Sequence, residues 1–470
     1  MLFHSLAFAV FLPLVWALYW LLREMKRQNA LLLVASLVFY GWWDPRFLLL
    51  LGFSIVVDYY AALRIAGARQ RGGRGKPWIV VSLVTQLGML GVFKYYDFFV
   101  ESALPIWNAL GWRPDLLHVV LPVGISFYTF HTLSYTIDVY RGHTPARRSL
   151  LDVATFVAFF PQLVAGPIAR ASSLLPQVER PRRLCGDDVR VGLTLMAVGF
   201  FKKMVLADGI APVVDALFRD AQSSGAIRPE HALLATSAFI LQIYGDFAGY
   251  SDIARGVSRL FGIRLIVNFR QPYLARRYSE IFDRWHISLS TWLRDYLFIS
   301  LGGSRGGRLR TLRNLFVTMV VAGLWHGANW TFAVWGVVVG ALLVIDRLLP
   351  LGDSAQWSRP AQLLGILVTF HLWSLGGVFF RAPDIHTAWV ILSSLVTESW
   401  GWPDPVYALA LAMCLLGFLA AELGEELHPT PDGSAVADYP FWQEIALATA
   451  VVGFVLTRPI GQTPFIYFQF

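Results

Sequence analysis

Cysteine is nearly absent from this chain, with 2 in 470 residues: Cys185 in a basic stretch and Cys414 in an apolar one. That scarcity excludes a disulfide framework and a thiolate metal site, and both thiols are expected to be inert. The histidines include no HExxH or other ligand pair at helical spacing, so no bound metal is expected. Charge is scarce as well, at 15% of residues, against 56% hydrophobic and a mean hydropathy of +0.54. No stretch is polar enough to form a soluble domain, and no internal repeat is sustained. These absences exclude a soluble enzyme on an anchor and predict an integral membrane protein.

What the chain does have is a series of apolar segments. They predict an all-α, polytopic membrane protein, residues 1–470 forming a single domain of about 11 transmembrane helices with re-entrant segments. In the first segment Arg23, Lys26 and Arg27 follow the apolar run, and no small-residue cleavage site comes after it. It is therefore expected to stay as a span, with the N-terminus outside. Arg64, Arg69, Arg71, Arg74 and Lys76 make an acid-free basic loop after the third span, which agrees with that topology. The net charge of +8 is accounted for in this way and needs no nucleic-acid partner. The lipid bilayer is the expected partner, with anionic headgroups favoured by such loops. The acidic loop at Glu422, Glu425, Glu426, Asp432 and Asp438 is expected outside.

Two apolar stretches carry basic residues on both sides. Val153 to Ile168 lies between Arg147, Arg148 and Arg170, Arg180; Ile281 to Gly303 lies between Arg276, Arg277 and Arg305, Arg308. Neither is expected to span, and both are expected to dip into the membrane from the cytoplasmic side.

From Asn314 to Ile345 the only titratable side chain is His326, inside GLWHGANW beginning at Gly323. One helix over this stretch would run about 48 Å, too long for a hydrocarbon layer of about 30 Å. Two helices joined near Gly323, Gly327 and Asn329 are expected instead, with His326 at the break. Broken helices in a membrane are tolerated where protein or a wet cavity covers the freed backbone, so His326 is expected to line a cavity. An ionisable group at such depth is a functional-site hypothesis by default. A neutral imidazole there would act as general base on a hydroxyl; the alternative is a structural histidine that bonds a carbonyl at the helix break. The segment RWHISLSTWLRDYLFISLGG from Arg284 brings His286, Arg294 and Asp295 to the membrane together, and the 40-residue separation of His286 and His326 is enough for the two to fold back on one cavity. His131 and His371, single histidines on apolar helices, are expected to be satisfied core residues. Asp246, Tyr250, Ser251 and Asp252 form a further polar cluster, and Gln162 sits in the first dip; both are expected to shape the cavity.

Five stretches in order resemble the membrane-bound O-acyltransferase superfamily, in particular its bacterial alginate O-acetyltransferase-like branch. They are LPVGISFYTFHTLSYTIDVYRG from Leu121, PQLVAGPIAR from Pro161, QIYGDFAGYSDIARG from Gln242, NFRQPYLARRYSEIFDRWHISLSTWLRDYLFISLGG from Asn268, and GLWHGANWTFAVWG from Gly323. The resemblance covers most of the chain. It implies helices around a central tunnel, His326 as the catalytic histidine and His286 at the second polar position. It also implies transfer of an acetyl group from a cytoplasmic donor, with acetyl-CoA the expected one and no bound cofactor. The acceptor would be an exported polysaccharide, reached with a soluble external acetyltransferase as partner, at a bacterial inner membrane. Residues that bind the donor are not assigned.

The sequence ends FIYFQF, Phe465 to Phe470. By resemblance to aromatic tails in this family's systems, Tyr467 is a candidate acyl relay; the alternative is an aromatic anchor at the membrane interface. Two other functions stay open on the sequence. One is D-alanyl transfer to teichoic acid, or lipid acylation, within the same superfamily; the other is a transporter or flippase whose intramembrane histidines bind substrate.

Overall fold

The computed structural model describes residues 1–112, 114–427, 449–451 and 453. Every regular element among them is helical, and the chain divides into two compact units. Unit 1 holds residues 1–196 and 254–266; unit 2 holds 197–253 and 267–470.

Unit 1 is built from α1 (Leu6–Leu21), α2 (Met25–Gly41), α3 (Phe47–Gln70), α4 (Lys76–Leu90), α5 (Ile125–Arg141) and α6 (Leu150–Ala158). Its core is α5, which is buried along nearly its whole length although it carries serines, threonines, His131 and Asp138. Packed on α3 and α4, it leaves its polar groups to be paired inside the protein. At its C-terminus the Arg69 guanidinium donates to the Tyr140 carbonyl at 2.7 Å, one of the acceptors that a helix end leaves unpaired. Gly142 follows at φ 81°, and a Cβ there would strike that guanidinium. Asp58, buried on α3, accepts from Gln86 Nε2 at 3.0 Å, and Ser54 donates to the Gln86 oxygen at 2.8 Å. The stretch expected to dip is two short pieces, α6 and a turn at Phe160–Leu163. At about 1.5 Å per residue neither could cross the hydrocarbon layer.

The helix α7 (Gly186–Phe200) leads into a π-helical stretch, Phe201–Ala207, and then α8 (Asp208–Ser224). Lys202 and Lys203 are buried in the π stretch, inside what reads in the sequence as an apolar run. They persist there because acids meet them. Lys203 Nζ lies 2.7 Å from Asp208 and 2.6 Å from Asp246, and Lys202 Nζ lies 3.1 Å from Asp252. Both Asp246 and Asp252 come from α9 (Pro229–Leu260), so the polar cluster of that helix neutralises lysines rather than forming a carboxylate pair.

The longer described helices that follow in unit 2, with one short helix, are α10 (Ile287–Trp292), α11 (Arg308–His326), α12 (Trp330–Leu348), α13 (Arg359–Arg381), α14 (Ile385–Thr397) and α15 (Pro405–Leu427). Five of the described helical segments, 47–70, 76–102, 229–260, 330–348 and 359–381, are long and apolar enough to cross a membrane, and 6–21, 385–397 and 405–420 are shorter apolar helices. His371 departs from expectation. It lies on the exposed side of α13, with Nδ1 2.8 Å from the Leu367 carbonyl of its own helix. His131 is fully buried as expected, but neither ring nitrogen has a hydrogen-bond partner among the described residues.

Candidate active site

The break in the long apolar stretch falls after His326. Helix α11 ends on that residue, and Asn329 caps α12 by accepting from the Thr331 amide at 3.0 Å. Gly323 is not part of the break. It lies within α11, where a Cβ would sit against the Phe332 carbonyl, while a Cβ at Gly336 would lie 2.6 Å from the Met319 carbonyl. These two glycines let α11 and α12 pack backbone to backbone, as small residues do between membrane helices.

The hairpin delivers His326 into an aromatic enclosure. Its ring centroid is 5.1 Å from Trp325, 5.1 Å from Trp335 and 5.0 Å from Phe380, each close to edge-on. The residue is buried.

His286 arrives by a different device. Read as one helix, Arg284 to Trp292 would place Trp285, Ser288 and Trp292 on a common face; instead the chain breaks at His286, which has φ 44° and ψ 51°. A non-glycine residue in this region is uncommon, carries a strain of about 1–3 kcal/mol and persists where its surroundings fix it. Here the surroundings are Asn268. Its carbonyl accepts from the Ile287 amide at 2.9 Å, and its side-chain oxygen accepts from the Ser288 amide at 3.1 Å and the Ser288 hydroxyl at 2.8 Å. Phe247 meets the His286 ring edge-on at 4.6 Å.

The structure brings the two histidines to one cavity of about 480 Å³. On α11 its lining residues Thr311, Leu315, Thr318, Met319, Ala322 and His326 follow helical spacing along one face. At about 1.5 Å per residue that face runs roughly 22 Å. Trp285, Trp335 and Trp373 line the cavity together with the histidines, and it also reaches Arg277, Arg294, Arg347, Asp283 and Asp346. Arg277 pairs with Asp346 at 3.2 Å and Arg294 with Asp295 at 2.7 Å. A larger cavity in the same unit, about 680 Å³, is lined mainly by leucines and aromatics and reaches neither His286 nor His326. Chemistry rather than volume makes the histidine cavity the candidate site. It has the length for an elongated substrate and brings two imidazole rings to one space.

Among the other sequence candidates, Ser251 accepts from Asn268 Nδ2 at 3.1 Å, and so supports the His286 loop. Gln162 lies in unit 1, where its amide donates to the Phe156 carbonyl at 2.6 Å. It does not line the histidine cavity. Tyr467 lies outside the described residues. Sequence reasoning did not single out Asn268, Trp335 or Phe380. Of these only Asn268 left a signal, as the one polar side chain between Leu265 and Phe269.

Residues 141–381, which include both histidines, match MBOAT, the membrane-bound O-acyltransferase family. The chain is 44% identical over 391 residues to the probable alginate O-acetylase AlgI of Pseudomonas aeruginosa, covering 83% of this chain and 74% of that protein. It is 39% identical over 494 aligned positions to the probable alginate O-acetylase AlgI of Pseudomonas putida, covering 100% of both. The peptidoglycan O-acetyltransferase of Helicobacter pylori is 34% identical over 416 residues, covering 82% of this chain and 78% of that protein.

Proposed function

Since this chain belongs to the membrane-bound O-acyltransferase family and is a multi-pass membrane O-acyltransferase, we propose that it passes acetyl groups from a cytoplasmic thioester donor toward an exported polysaccharide, with His326 as general base and His286 as its polar support. The observation that carries this reading is the single cavity lined by both histidines. The names of the relatives favour acetyl as the group and an exported glycan such as alginate or peptidoglycan as the acceptor. A transporter reading has no support from those relatives.

In this reading neutral His326 takes the proton of the acceptor hydroxyl while its oxygen attacks the acetyl carbonyl carbon. The carbon–sulfur bond of the donor, acetyl-CoA, then breaks, and the imidazolium returns the proton to the departing thiolate. Imidazole general-base catalysis contributes typically about 10²–10⁴-fold. The aromatic enclosure keeps water, a competing acceptor, away from the thioester.

Further parts of the proposal rest on sequence. The reading has about 11 spans, an outside N-terminus and a place in the bacterial inner membrane, supported by the basic loops. A soluble external acetyltransferase completes transfer to the polymer, and Tyr467 relays the acetyl group to it. Replacing Tyr467 with Phe removes only a hydroxyl, so loss of polymer acetylation in that variant supports the relay and full retention makes the tail an anchor.

The test of the function itself is the acetyl-ester content of the polymer exported by cells whose chromosomal copy is replaced by His326→Ala. Ester should fall to background with polymer yield and membrane level of the protein unchanged. Wild-type ester content would sink the reading.

A further inference from the structure

The orientation of Asn268 can be deduced from one fixed donor. The Ser288 backbone N–H can only donate, and it lies 3.1 Å from the Asn268 Oδ1 position. That position must therefore be the amide oxygen, and the NH₂ end faces the Ser251 hydroxyl, 3.1 Å away. The same oxygen lies 3.2 Å from His286 Nδ1. An amide oxygen has no hydrogen to give, so Nδ1 must carry one. A neutral imidazole has a single N–H. Its lone pair is then at Nε2, on the far side of the ring from Asn268.

We propose that Asn268 is a positioning residue for acyl transfer, holding His286 as the Nδ1–H tautomer so that Nε2 serves as the acceptor of a hydrogen bond or proton in the cavity. This rests on the reading of the two histidines as the reacting site. Three further features fit the assignment. The Asn268 carbonyl takes the Ile287 amide at 2.9 Å, so one residue sets both the left-handed backbone of His286 and its ring. Ser288 Oγ lies 3.4 Å from Nδ1 and 2.8 Å from the Asn268 oxygen, so the hydroxyl closes the group around that nitrogen. Phe247, edge-on at 4.6 Å, packs the ring in place. Fixing a tautomer through the other ring nitrogen is a general way in which proteins set which imidazole nitrogen reacts.

The substitution Asn268→Asp makes the proposal testable. A carboxylate keeps an oxygen toward Ser288 and Nδ1, and the Ser251 hydroxyl can turn to donate to its second oxygen. The tautomer is preserved and a negative charge is added beside the ring. That charge favours the imidazolium form of His286, which has no lone pair to offer at Nε2, so the pH above which His286 can support His326 rises and the acid limb of the rate profile moves up by about one pH unit or more. The other titratable groups lining the cavity are His326, Asp283, Asp346, Arg277, Arg294 and Arg347. Helix α9, which supplies Phe247 and Ser251, adds Asp246 and Asp252, paired with Lys203 and Lys202, and Tyr250. All of these stay unchanged by a substitution at 268.

The experiment uses membranes from the source bacterium carrying wild type, Asn268→Asp, Asn268→Leu or His286→Ala at matched levels, with radiolabelled acetyl-CoA as donor and the cell's own polymer as acceptor. The expected result is loss of kcat in Asn268→Leu by roughly 10²-fold with little change in KM for acetyl-CoA. Asn268→Asp should recover most of that kcat above the shifted limb. If His286→Ala transfers label at the wild-type rate, the reading of the site fails. If His286→Ala is impaired, the proposal is overturned by wild-type kcat in Asn268→Leu, by failure of Asn268→Asp to recover activity, or by an unshifted profile in Asn268→Asp.

Discussion

His286 and His326 open onto one cavity with Trp325 beside both: the Trp325 ring centroid is 6.3 Å from that of His286 and 5.1 Å from that of His326. The first histidine is held by a loop and the second by a helix end, so their relation is set by packing across unit 2 and not by a short motif.

Ala322 lines this cavity one helical turn before His326. A phenylalanine there would fill cavity space beside the histidine. Ala322→Phe should lower kcat/KM for acetyl-CoA by at least about tenfold, a cost of some 1.4 kcal/mol in transition-state binding. Steady-state rates in membranes read this, and an unchanged kcat/KM would mean that the donor does not use the cavity.

The α11–α12 hairpin depends on Gly336. A Cβ at this position would lie 2.6 Å from the Met319 carbonyl and 2.9 Å from Val320 Cα, both backbone atoms that cannot rotate away. Gly336→Leu should force the helices apart and destabilise the protein by about 1–3 kcal/mol or more. Thermal melting of detergent-purified protein should show a lower Tm, and a melting curve matching wild type would contradict the close packing.

Lys203 is held by two acids, Asp208 at 2.7 Å and Asp246 at 2.6 Å. Lys203→Met leaves both carboxylates without that cation, and breaking a buried pair in this way costs about 3–5 kcal/mol. Asp246→Asn leaves Lys203 with Asp208 and should cost clearly less. Comparing melting temperatures of the two variants checks the asymmetry; equal losses would show that Asp208 does not compensate.

Much of this was legible in the sequence. The lone His326 in an uncharged run, with glycines and Asn329 beside it, told of a helix break, because length and hydrocarbon thickness do not match for one helix. The basic residues flanking 153–168 and 281–303 pointed to non-spanning segments, and the chain there forms short helical pieces. Other features depend on partners far along the chain. Lys202 and Lys203 look like an interruption of an apolar run until α9 supplies Asp246 and Asp252. His286 looks helical until Asn268 captures the amides of Ile287 and Ser288. The aromatic enclosure of His326 draws Trp335 from α12 and Phe380 from α13, and nothing in the local pattern distinguishes these rings from the many others in the chain.

The central claim is that His326 performs acyl transfer. Native membranes containing wild type or His326→Ala at matched levels, given radiolabelled acetyl-CoA and polymer, test it by the label recovered in polymer. The account predicts a fall of about 10²–10⁴-fold in the variant. Equal labelling by the two proteins would contradict it.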